Sequence, residues 1–265
     1  MKIKKLLSNI KHRLFHKKEE WDFVEVNGKT IKCIKNSFRK TKDTDDDWFN
    51  SLAKNATVIF DIGCNIGYTA LLGLTNENVK KMLLVDPNPE ALFIAHKNLI
   101  ANNLIGKTST FVSFVSDLND KEVDFYTIGH GAAGSIYKSH AETAASLNSF
   151  IKVKTVTLDF LSSYFELIPD FIKIDVEGAE FQVLEGAKET VLKSKCKILV
   201  EMHSNQDLTM FENANNLLKW CKEVEYNAWY LTNKEILVTP EIIKKRGRCH
   251  VLLLPKNNFF PSYLN

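Results

Sequence analysis

Thr57-Val58-Ile59-Phe60-Asp61-Ile62-Gly63-Cys64-Asn65-Ile66-Gly67 is the stretch on which the reading of the chain turns. It opens as a short apolar, partly β-branched run, the composition of a strand buried on both faces. The run then meets a carboxylate and two glycines. Gly63 and Gly67 permit the positive φ of a tight turn and let a ligand approach the backbone closely. Tyr68 through Leu74 reads as the helix that follows, with its first N–H groups aimed at the same spot. Strand, glycine turn and helix start predict a ligand site at the carboxyl edge of a parallel sheet.

A second apolar strand, Met82-Leu83-Leu84-Val85, ends in Asp86. An acid about twenty positions past a glycine turn suits the hydroxyl pair of a ribose. The turn is not the G-x-G-x-x-G of dinucleotide folds, because Asp61 stands where those folds have glycine. Asp61 would repel a pyrophosphate and attract a sulfonium and an amino group. The expected ligand is therefore S-adenosylmethionine (SAM) rather than NAD.

With 265 residues the chain suffices for one large α/β domain with a well-buried core. A net charge of +3 is too small to argue for nucleic acid. The five cysteines form no C-x-x-C pair and mostly sit in or beside apolar runs, so they read as buried thiols of a reducing compartment. No apolar run is long enough to cross a bilayer. The expected location is cytoplasmic.

Residues 1–18 carry Lys2, Lys4, Lys5, Lys11, Arg13, Lys17 and Lys18 with no acid, and Ile3, Leu6, Leu7, Ile10, Leu14 and Phe15 at helical spacing. That is a basic amphipathic helix, suited to the anionic inner face of a membrane or to docking on its own domain or a partner. The expected divisions are this helix over residues 1–20, a hairpin and helix cap over 21–56, and the ligand-binding domain over 57–265. Asn27-Gly28 between two strand-like runs predicts the hairpin. The acids from Asp43 to Asp47 read as a helix start, with metal binding the lesser alternative.

Farther along, Asn88-Pro89 reads as an N-cap and first helical residue. Thr110 to Val115 reads as a third strand ending near Asp117. The segment from Gly129 to Gly134 reads as a lid, an acceptor-binding loop or a plain surface turn. Phe171-Ile172-Lys173-Ile174-Asp175 and Ile198-Leu199-Val200 are further core strands, the second leading into Glu201-Met202-His203. Glu180 reads most simply as a solvated carboxylate on a helix face. Strands alternating with helices predict one doubly wound α/β domain with a parallel sheet.

These segments together resemble the FkbM-type methyltransferases. The resemblance rests on residues 60–68, on Asp86-Pro87-Asn88-Pro89 with Asn98 and Asn102, and on Val200-Glu201-Met202-His203. Its most specific part is Lys173-Ile174-Asp175-Val176-Glu177-Gly178. It implies a Rossmann-like class I methyltransferase sheet of seven strands, mostly parallel, with the last antiparallel. It also implies methyl transfer from SAM to a hydroxyl group of a glycan or other small hydroxylated metabolite. Asp86 replaces the commoner Glu, and Cys64 the commoner Ala; the shorter acid still accepts two hydrogen bonds.

On this reading Asp61, Gly63, Asn65 and Gly67 hold the methionine end of SAM. Asp86 takes the ribose, and Asp117 meets the adenine amino group. The candidates for proton removal are Asp175, Glu177 and His203, which follow the fourth and fifth core strands. Asp175, Glu177, Glu201 and His203 could alternatively collect a divalent ion. Two other functions compete: a nucleic-acid methyltransferase, and a non-catalytic nucleoside-binding scaffold. The acidic segment after the fourth strand disfavours a phosphate backbone there, and no nucleic-acid partner is expected.

Overall fold

The computed structural model describes residues 19–39, 43–129, 134–204 and 208–264. The expected N-terminal amphipathic helix, with its membrane contact, and residues 130–133 of the glycine-rich loop lie outside the described residues.

Strands β1 (Trp21–Val26) and β2 (Lys29–Ile34) pair antiparallel around Asn27-Gly28. Both turn residues have positive φ, +51° and +73°, as the tight hairpin requires. Asn27 Nδ2 donates to Asn50 Oδ1 at 2.9 Å and to Thr75 Oγ1 at 2.8 Å, which seats the turn on the main domain. Helix α1 (Thr44–Ala53) starts in a capping box: Asp43 caps it, and the Asp46 carboxylate accepts from the Asp43 N–H. Such a cap is worth about 0.5–2 kcal/mol. Asp46 also accepts from Arg39 at 2.9 Å and from the Tyr68 hydroxyl at 2.7 Å, so much of the acidic run is structural.

The main sheet has the order β12 (Glu235–Ile236), β11 (Tyr226–Tyr230), β13 (Arg248–Pro255), β10 (Lys197–His203), β9 (Phe171–Ile174), β3 (Val58–Ile62), β4 (Lys81–Asp86), β5 (Thr108–Val112). Its parallel part comprises β3, β4, β5, β9 and β10. Strand β13 runs antiparallel to both β10 and β11. The sheet therefore has eight strands where seven were expected. The addition is β12, too short for periodicity to reveal.

The third core strand also differs from the expectation. It stops at Val112, and β6 (Phe114–Val115) leaves to pair with β8 (Phe150–Val156), which pairs in turn with β7 (Glu122–Tyr126). Ser113 makes the break: its N–H bonds the Asp86 carbonyl, and its hydroxyl bonds the Lys154 carbonyl of β8.

Alternation along β3 places Ile59 in the core on one face of the sheet and Phe60 and Ile62 in the core on the other. Helix α2 (Tyr68–Leu74) leads away from the glycine turn. Helix α3 (Pro89–Ala101) starts with the Asn88 side chain accepting from the Glu90 and Ala91 N–H groups. From α3, Asn98 Oδ1 accepts from Ile34 N at 2.7 Å, and Asn102 Oδ1 accepts from Lys32 N at 2.9 Å. Asn102 Nδ2 returns a bond to the Lys32 carbonyl at 2.6 Å. Cys33, Cys64, Cys196, Cys221 and Cys249 are buried free thiols. Among the described residues, no helix is long and apolar enough to cross a membrane.

Candidate active site

The carboxyl ends of β3, β4 and β9 converge on a cleft. Gly63, Asn65, Asp86, Phe114, Asp175 and Glu177 are among its lining residues. Gly63 has φ +81°, and a Cβ there would stand 1.8 Å from the Asp175 carbonyl oxygen. The turns after β3 and β9 are thus in direct backbone contact. Asn65 is left-handed too, at φ +46°. Its N–H donates to Asp86 Oδ2 at 2.8 Å, while Asn88 N donates to Oδ1 at 2.8 Å. Burial pushes the Asp86 carboxyl up to about 6, although these two backbone donors pull it down. Each oxygen keeps a lone pair for a further donor. Asn65 Oδ1 is buried with no hydrogen-bond partner.

Asp61 lies beneath the turn and is absent from the lining of the cleft. Thr69 donates to its Oδ2, and Lys173 Nζ stands 3.8 Å from Oδ1 and 3.0 Å from Asp175 Oδ2. Burial raises the Asp61 carboxyl despite the nearby ammonium. Burial also disfavours the Lys173 ammonium, but Asp175 and then Asp61 more than offset it, and the group stays charged. Gly67 is likewise not a lining residue: it opens α2 at φ +78°. Asp117, expected beside the ligand, is exposed and bonded to the Ser116 hydroxyl at 2.9 Å. Because β5 ends early, the Phe114 ring lines the cleft on that side instead.

The other side of the cleft is acidic. Glu177 has φ +54°, a left-handed conformation that costs a non-glycine residue about 1–2 kcal/mol. Two bonds hold the turn: Ser135 Oγ donates to the Glu177 carbonyl at 2.9 Å, and Gly178 N to Glu180 Oε1 at 2.8 Å. Burial raises the Glu177 carboxyl against the pull of His203. His203 ends β10, is 6% exposed, and has Nδ1 2.9 Å from Glu180 Oε1. Its Nε2 stands 3.6 Å from Glu177 Oε2 and 3.7 Å from Glu201 Oε1. Burial disfavours the imidazolium, but Glu180, then Glu177 and Asp175, raise the ring to about 9.

Two of these groups escape sequence reasoning. Glu180 is fully buried rather than solvated, and Asn213 Nδ2 reaches its Oε2 at 3.4 Å. It opens the helix α4 (Glu180–Glu185), whose inward face only the packed structure defines. His140 has Nδ1 3.4 Å from Glu177 Oε2 and Nε2 2.8 Å from the Ser204 carbonyl. It comes from an irregular loop with no periodic signal.

Ligand-capable atoms of Asp175, Glu177 and His203 lie within 4.8 Å of one another. Glu201, expected in the same group, is taken elsewhere. It pairs with Arg248 at 3.0 Å and faces His250 Nε2 at 3.3 Å, while His250 Nδ1 faces Asp45 at 3.3 Å. Burial would raise the Glu201 carboxyl, but His250, then Lys173 and His203, hold it at about 2.

A family model described as "Methyltransferase FkbM domain" matches residues 61–227. The 2-O-methyltransferase NoeI of Sinorhizobium fredii is 31% identical over 169 residues, covering 59% of this chain and 67% of that protein. The hexuronic acid methyltransferase AglP of Haloferax volcanii is 27% identical over 157 residues, covering 58% of this chain and 59% of that protein. The crystal structure of a methyltransferase FkbM from Methylobacillus flagellatus superposes with a TM-score of 0.47 at 15% identity, covering 76% of this chain and 44% of that one.

Proposed function

Because the chain belongs to the FkbM methyltransferase family, we propose that it transfers a methyl group from SAM to a hydroxyl of a glycan or other small hydroxylated molecule. NoeI and AglP, by their names a 2-O-methyltransferase and a hexuronic acid methyltransferase, support a sugar acceptor. The observation that carries the reading is one cleft with a clamped Asp86 carboxylate on one wall and the Asp175 and Glu177 carboxylates on the other.

The residues present fit SAM. The Asp86 carboxylate can accept from the ribose hydroxyls, the Phe114 and Phe125 rings offer apolar surface to the base, and the unpartnered Asn65 Oδ1 awaits a donor. Asn65 and the Gly63 backbone would hold the methionine end. Asp61, Thr69 and Lys173 support that turn from below. When bound, SAM supplies a sulfonium-activated methyl group for in-line displacement.

The chain must then hold the acceptor oxygen behind that methyl group and receive its proton. Glu177 is the best placed to receive it: its carboxylate lines the cleft, whereas Lys173 pins Asp175 and Glu180 engages His203. His203 and His140 flank Glu177 and fix its direction.

Two tests follow. Transfer of labelled methyl from SAM should appear with glycan precursors and not with RNA or DNA; labelling of nucleic acid alone would reverse the acceptor class. The second concerns Asp86, which must be ionised to accept from the ribose. Its folded value of about 6 means that affinity grows as pH rises through that value. Binding at about pH 5 should be roughly tenfold weaker than at about pH 8. Asp86→Asn should abolish the dependence and cost about 1.5–3 kcal/mol, tenfold or more in affinity. Calorimetry giving a flat profile for the unaltered protein would place the ribose elsewhere.

A further inference from the structure

We propose that Asp175, Glu177 and His203 form a divalent-cation site, of the kind that takes Mn²⁺, on the acceptor side of the cleft. The site stands on its own geometry; only its use in catalysis rests on the methyltransferase reading.

Three observations carry it. The first is spacing. One ligand atom from each residue falls within 4.8 Å of the other two. An octahedral ion with bonds of about 2.1 Å places its ligands roughly 3–4 Å apart, so a small rotamer adjustment closes the set. Carboxylate oxygens with one imidazole nitrogen suit Mn²⁺ better than the all-oxygen preference of Mg²⁺.

The second is the state of the histidine. His203 is 6% exposed, and its Nε2 has no hydrogen bond among the described residues, its nearest acidic oxygens being 3.6 and 3.7 Å away. Its Nδ1 is bound to Glu180 at 2.9 Å. When a cation displaces the Nε2 proton, the remaining N–H is held at Nδ1 by Glu180, and the Nε2 lone pair points into the group. A carboxylate that orients a histidine from behind is the usual companion of a metal-ligating imidazole. Glu180 is itself anchored by Gly178 N and Asn213 Nδ2.

The third is charge. Asp61, Asp175, Glu177, Glu180 and Glu201 face the fixed cations Lys173 and Arg248. This excess of buried and half-buried carboxylate favours added positive charge. Glu201 stays outside the site because Arg248 and His250 already engage it. An ion held by Asp175, Glu177 and His203 keeps positions open toward the cleft, where an acceptor hydroxyl can bind and become more acidic.

The test is Mn²⁺ titration of the full-length protein, read by the paramagnetic resonance signal of the free ion. One site should remove the signal at low stoichiometry. Asp175→Asn and His203→Gln should each weaken binding at least tenfold. Glu180→Gln, which touches no ion, should weaken it by about ten- to a hundredfold. SAM affinity, measured by calorimetry on the same samples, should stay within about threefold, and circular dichroism should verify folding of each variant. The proposal is overturned if Mn²⁺ stays free beside the folded, SAM-binding protein. It is equally overturned if the variants bind Mn²⁺ as well as the parent, which would move the ion to Asp45, Glu201 and His250. Loss of SAM binding in the parent protein would instead refute the functional reading.

Discussion

Gly63→Ala is expected to unfold at a much lower temperature than the parent and to lose the SAM cleft. Its φ of +81° already costs a residue with a Cβ about 1–2 kcal/mol. The added carbon would sit 1.8 Å from the Asp175 carbonyl oxygen, which is backbone and cannot rotate away. Either the β3 turn or the end of β9 must shift, and Gly63 N would then release the Val85 carbonyl that it holds at 2.9 Å. The sum should exceed about 3 kcal/mol, among the larger effects of a single substitution. For a domain of this size that is roughly 6–12 °C in melting temperature. Gly106→Ala is the control, since no atom lies within 4 Å of its would-be Cβ. Scanning calorimetry that finds both variants melting alike would refute the close packing of the two turns.

Glu177→Gln should lower kcat by about a hundredfold or more while SAM affinity stays within about threefold. Glutamine keeps the shape and the left-handed backbone burden of Glu177 but cannot take a proton from an acceptor, and it is a poor ion ligand. The prediction therefore holds whether the carboxylate acts as base or helps to hold a cation. Chelator distinguishes the two: it spares the parent enzyme in the first case and silences it in the second. His203→Ala is a poorer probe, because it strands the fully buried Glu180 carboxylate and would cost about 3–5 kcal/mol of stability. Single-turnover kinetics showing full activity in both Glu177→Gln and Asp175→Asn would place proton removal on another group.

Local patterns carried most of the architecture. Asn27-Gly28, the Asn88 cap before Pro89 and the apolar runs of the core strands each encode their element in contiguous residues, and each occurs where the pattern puts it. The acid at the end of β4 was legible for the same reason. Asp117 was not, because the break at Ser113 depends on a hydroxyl bonded to a strand some forty residues later. Asp61 shows a different limit. Its type and place at the strand end suggest contact with a cation, but the cation beside it is Lys173 of the neighbouring strand. Sequence marks Lys173 as unusual without naming its partners. The association of His140 and Glu180 with the acidic wall joins segments without any short-range signal.

The two asparagines that α3 extends to the hairpin have a consequence for solubility. Strand β2 pairs with β1 on one side only, and a bare strand edge is a template for another chain. Four residues of helix rise about 6.0 Å and two residues of strand about 6.6 Å. Asn98 and Asn102 therefore match the outward N–H groups of Ile34 and Lys32, as a neighbouring strand would. A helix thus covers part of the β2 edge, and two of the amides that would otherwise recruit a second molecule are already occupied.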